Sequence, residues 1–75
     1  MSNTFFDSIP VGKNVIAGRK PTGEPIGYYV KRNTQIEALD GHMKYIGVYD
    51  SITDQTFDER HQFVGRGMLL GTLFR

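Results

Sequence analysis

The segment Glu37-Ala38-Leu39-Asp40-Gly41-His42-Met43-Lys44-Tyr45-Ile46-Gly47 decides the fold. Asp-Gly is the dipeptide that a two-residue type I′ turn favours, because both central residues need positive φ. Pairing outward from Asp40-Gly41 sets Leu39 opposite His42, Ala38 opposite Met43, Glu37 opposite Lys44 and Ile36 opposite Tyr45. Ile36, Ala38, Met43 and Tyr45 then share one face. Glu37 and Lys44 form an opposite-charge pair on the other, an arrangement that contributes roughly 0.2–1 kcal/mol. The segment reads as a β-hairpin.

The hairpin's last three residues recur. Pro10-Val11-Gly12, Pro25-Ile26-Gly27, Tyr45-Ile46-Gly47 and Phe63-Val64-Gly65 each place a ring residue and a β-branched residue before glycine. The glycines are spaced by 15, 20 and 18 residues, about one hairpin each. Repetition at such a period predicts units that bury their faces only against one another. Shifted by 18 residues, Leu39-Asp40 falls on Phe57-Asp58, so a further hairpin turns near Asp58-Glu59-Arg60-His61. Lys20-Pro21-Thr22-Gly23 fits a type I turn with Pro at its second place and Gly at its fourth. The first unit is degenerate, with a tighter turn or an incomplete hairpin, since Phe6-Asp7 lies too close to Gly12. Glycine inside a strand weakens it. Each repeated glycine marks either a bulge or bend, or a crowded pseudo-symmetry axis.

Helix signals are poor. Nine glycines and three prolines interrupt the chain, and no stretch sustains a 3.6-residue apolar period. The apolar tail Met68–Phe74 reads first as a closing strand. Its Leu69/Leu73 and Leu70/Phe74 pairs also allow a short helical turn, which Gly71 weakens by about 1 kcal/mol. The expected fold is therefore all-β: a small single domain, residues 1–75, of about four pseudo-repeated hairpins. They would form a compact flower, barrel or sandwich, with a short C-terminal helical turn as an option.

The run Leu39 to Asp50, then Thr56-Phe57-Asp58 and Phe63 to Leu70, resembles the four-fold β-flower family of small bacterial proteins. The likeness is strongest over residues 35–74. The resemblance implies hairpins recurring around a centre, and a bacterial or phage source. It implies no activity, and the second unit departs from it with Arg19-Lys20 where an aromatic residue and Asp are expected.

Seventy-five residues make one small core, which alone supplies only roughly 3–5 kcal/mol. With no cysteine, disulfides and thiolate metal sites are excluded, and self-association is the expected stabiliser. Net charge is +1, from nine basic and eight acidic side chains, which gives no general attraction to nucleic acid. No apolar run reaches membrane-span length and residues 1–20 lack signal-peptide character, so a cytoplasmic location is expected.

No catalytic signature is present: there is no phosphate-binding loop, Gly-x-Ser-x-Gly or cysteine nucleophile. The one acid–imidazole cluster, Asp58 with His61, sits in a turn, where solvated residues are the ordinary outcome, as does His42. Asp50, Asp54, Asp58 and Glu59 lack the ladder of a calcium loop, so no metal or other cofactor is expected. Tyr28, Tyr29, Tyr45 and Tyr49, near Lys31, Arg32 and Lys44, either pack in the core or at an interface, or stack a ligand. The expected function is a non-enzymatic protein-interaction or structural module that self-associates as a homo-oligomer. The alternative is a binder of nucleotide or another phosphate-bearing molecule, at the pseudo-axis or between subunits, through Tyr28, Tyr49, Lys31, Arg32 and Arg66. Residues just beyond the glycines, Lys13, Tyr28, Val48 and Arg66, differ in every unit and are where specificity would reside.

Overall fold

A computed structural model describes residues 4–74. The chain is all-β. Six antiparallel strands form one sheet in sequence order: β1 (Asn14–Arg19), β2 (Pro25–Arg32), β3 (Gln35–Asp40), β4 (Tyr45–Asp50), β5 (Gln55–Asp58) and β6 (Phe63–Arg66). A one-turn helix, α1 (Thr4–Ser8), precedes the sheet, and a 3₁₀ turn, η1 (Leu70–Leu73), follows it. Each strand pairs with its sequence neighbours, which leaves β1 and β6 as edges.

Three hairpins, β1–β2, β3–β4 and β5–β6, are copies of one design. In each, the residue just before the loop donates its N–H to a carbonyl four residues on: Lys20 to Glu24, Asp40 to Lys44 and Asp58 to Gln62. A tighter bond inside it closes a turn, from the N–H of Gly23, Met43 or His61 to the carbonyl of Lys20, Asp40 or Asp58. That third loop residue has positive φ in every copy: 91° at Gly23, 66° at Met43 and 60° at His61. This is the three-residue hairpin loop, a type I turn followed by one left-handed residue. The turns expected at Lys20–Gly23 and Asp58–His61 are therefore present. The two-residue turn expected at Asp40-Gly41 is a three-residue loop instead. The Asp40 carboxylate is the reason: its Oδ1 accepts the N–H groups of His42 and Lys44 at 2.8 and 2.9 Å, which fixes the longer loop. Asp58 repeats this with Arg60 and Gln62.

The ring-branched-glycine phrase is a β-bulge. Leu39 faces Tyr45 and Ala38 faces Gly47, so Ile46 is the extra residue. Phe57 faces Phe63 and Thr56 faces Gly65, so Val64 is its counterpart. Ile26 holds that place in the first hairpin, where β1 also bulges at Ala17. Loop and bulge together move the β3–β4 register from the expected one: Ile36 faces Tyr49 rather than Tyr45, and Glu37 faces Val48 rather than Lys44. Glu37 pairs instead with Arg32, across β2–β3, at 3.0 Å. The fourth copy of the phrase lies outside the hairpins. Phe6-Asp7 belongs to α1, and Val11 makes only an isolated bridge to Lys31.

Alternation along the strands assigns two faces. On one, Val15, Tyr29, Ile36, Ala38 and Tyr49 are covered by Phe6 and Ile9 from the N-terminal side and by Leu70, Leu73 and Phe74 from the tail. The glycines make room for that tail. A Cβ on Gly47 would lie 2.5 Å from Leu73 Cδ1, and one on Gly65 2.5 Å from Leu69 Cδ1. A Cβ on Gly27 would collide with the edge of the Phe74 ring. The tail is thus a 3₁₀ turn laid across a glycine floor, and not the closing strand. Thr56, fully buried, anchors its start by donating to the Gly67 carbonyl at 2.6 Å and accepting the Leu69 N–H at 3.1 Å.

Candidate functional site

The face opposite the tail carries residues that no described element covers. Cross-strand partners order it into rows. Ile16, Tyr28, Leu39 and Tyr45 form the row nearest the three hairpin loops. The middle row is Asn14, Val30, Glu37, Val48, Phe57 and Phe63. The far row is polar: Arg32, Gln35, Asp50, Gln55 and Arg66. Val30 and Val48 are already buried there by their neighbours. Exposure is concentrated at the two sheet edges, 41% for Ile16 and 57% for Phe63. Phe63 packs edge-on against Phe57 with ring centroids 6.1 Å apart. The variable residues that follow the glycines, Tyr28, Val48 and Arg66, all lie on this face.

The five residues expected to bind a ligand are divided between the faces. Tyr49 is 2% exposed, inside the core, and its hydroxyl donates to Asp54 Oδ1 at 2.8 Å. Lys31 shares the tail-covered face, where its Nζ donates to the Phe6 carbonyl at 2.9 Å and lies 4.0 Å from the Phe6 ring centre. It fastens α1 to the sheet. Tyr28, Arg32 and Arg66 are on the opposite face. Arg32 and Arg66 share a row but lie four strands apart, about 19 Å along the sheet at about 4.8 Å per strand. Strand pleating is the physical reason for the split: neighbouring positions such as Lys31 and Arg32 point to opposite sides. The five therefore form no common pocket. Tyr29 likewise belongs to the core face, between Phe5 and Phe74 in edge-to-face contacts, and burial pushes its phenol above the ordinary 10.0.

One cleft of about 420 Å³ opens at the loop end, lined by Asp40, Lys44, Tyr45, Ile46, Asp58, Glu59 and Leu73. Three carboxylates against one ammonium make it anionic. Burial raises the Tyr45 phenol, and the negative charges of Glu37, Asp58 and Glu59 raise it further. A phosphate would meet repulsion here. Among the described residues the His61 imidazole makes no hydrogen bond to the Asp58 carboxylate; the bond between the two is the backbone one that closes the turn. The His61 ring lies against Phe57, 6.4 Å between centroids, while Asp58 Oδ1 is occupied by loop amides. Among the described residues, no group of three or more His, Asp or Glu side chains is arranged to hold a metal ion. None of the described helices is long and apolar enough to cross a membrane.

Sequence reading offered the bulge as one of two alternatives for the repeated glycines, and three hairpins show it; it missed the glycine floor. The signal was present in the phrase itself, but only the tail's position shows what the glycines accommodate. Compared with known proteins, the chain matches no family model, no curated protein and no solved structure.

Proposed function

We propose that this chain is a non-enzymatic interaction module that self-associates through the uncovered apolar face of its sheet. The observation that carries the reading is that face: two rows in which aliphatic and ring residues are interrupted only by Asn14 and Glu37, with Phe63 57% exposed at one edge. Exposed apolar side chains rimmed by polar residues mark sites of association.

The face is favoured over the edges because the edges are guarded. β1 bulges at Ala17, and β6 ends after four residues, where Gly67 adopts φ 85°. Repeating the internal hairpin register between copies would also pair like charges. Gly27 faces Asp40 and Gly47 faces Asp58, the residues just before the next loops. By the same register Gly65 would face Lys20 of another copy, and Arg66 would face Arg19. Bulges and charges of this kind block edge-to-edge addition.

Size-exclusion chromatography with light scattering tests the reading. The expected result is an apparent mass that rises above 8.5 kDa with concentration. A strict monomer from micromolar to millimolar protein overturns it.

A further inference from the structure

We infer that two copies associate face to face about a two-fold axis lying along β5, with Arg66 of each copy opposite Asp50 of the other. The inference rests on the self-association proposed above and specifies its geometry. Aligned sheets pack with strand directions within about 30° of each other. A two-fold axis parallel to the strands keeps each cross-strand row above its own counterpart and reverses the strand order. Among axes that lie on a strand, β5 is the one that sets opposite charges in register without stacking like charges.

Consider the polar row, Arg32, Gln35, Asp50, Gln55 and Arg66, on β2 to β6 in that order. An axis along β4 sets Arg32 over Arg66 of the second copy, a like-charge contact. An axis along β3 sets Arg32 over Asp50, but it also places Glu37 over Glu37 in the middle row. An axis along β5 has neither fault. Gln55 meets Gln55, and Arg66 meets Asp50 twice, once in each direction. In the middle row Phe57 meets Phe57, and Phe63 lies over Val48. The interface is isologous, as a closed dimer requires. It also covers Phe63, the most exposed apolar residue of the face, 57% accessible in the isolated chain. Among the described residues Arg66 has no side-chain hydrogen bond or ion pair, so its guanidinium is free to meet a second copy.

The chain has no cysteine, which makes single-cysteine crosslinking clean. Gln55→Cys puts a thiol on the axis, facing its own copy. Thr22→Cys puts one on an exposed hairpin loop away from the face. Under mild oxidation at micromolar protein, Gln55→Cys is expected to form covalent dimer at least about tenfold faster than Thr22→Cys, because association raises the local thiol concentration. In parallel, Arg66→Glu sets a carboxylate opposite Asp50 and is expected to weaken the dimer at least about tenfold relative to wild type, since like charges at an interface are repulsive. Equal crosslinking rates, or an Arg66→Glu dimer as tight as wild type, overturn this geometry while leaving self-association standing. A monomeric wild type overturns both.

Discussion

Gly47 and Gly65 hold the same place in two hairpins, yet an added methyl group meets different resistance. At Gly47 it would lie 2.7 Å from the Phe57 carbonyl oxygen as well as against Leu73, and the backbone cannot yield. At Gly65 the obstacle is the end of the Leu69 side chain alone, which can rotate away. Gly47→Ala is therefore expected to cost about 2–3 kcal/mol, and Gly65→Ala about 1 kcal/mol or less, by denaturant unfolding. Equal costs would mean that the bulge, rather than the tail, demands glycine. Asp40 makes a second prediction at this scale. Its carboxyl is held below the ordinary 3.8, chiefly by the Lys44 N–H and also by that of His42. A depressed folded value means stabilisation that is present above 3.8 and lost as pH falls through the folded value. Asp40→Ala should melt below wild type at neutral pH, with the gap closing in strong acid. A gap that persists unchanged in acid contradicts the capping role.

Among the elements, the hairpins were legible and their register was not. Asp40-Gly41 and the 18-residue shift locate turns correctly, because turn chemistry is local. The register depends on whether Asp40 commits its carboxylate to the loop and on an extra residue at Ile46, and a two-residue turn ignores both. The tail's conformation was hidden for a related reason. Met68–Phe74 has the apolar content of a strand, but Gly27, Gly47 and Gly65 leave a trough that a compact 3₁₀ turn fills. Leu70, fully buried, is its anchor. Leu70→Ala is expected to destabilise the fold by about 2–4 kcal/mol, a large part of a small domain's total. Thermal unfolding that moves by only a degree or two would show that the tail is dispensable. Thr56→Val should release the same segment more gently, by about 1–3 kcal/mol, because it orphans the Leu69 N–H and the Gly67 carbonyl.

Across the whole molecule, one sheet has to serve two environments. The tail and α1 seal one face, and the other keeps rows of apolar side chains that no described element covers. Sequence alone foresaw the all-β class; it singled out Lys13, Tyr28, Val48 and Arg66 as variable, but not that the last three share a face. It also grouped Tyr49 and Lys31 with Arg32, which only the pleat separates. Ile52 supplies the sharpest control for what the uncovered face does. It is 74% exposed, more than Phe63, but sits in the β4–β5 loop and belongs to none of the strand rows. Sedimentation equilibrium of wild type, Phe63→Ser and Ile52→Ser is the most direct measurement. The expected result is a reversible dimer for wild type and Ile52→Ser and a monomer for Phe63→Ser. Dissociation by Ile52→Ser with Phe63→Ser unaffected, or a wild type that is monomeric throughout, would contradict association through this face.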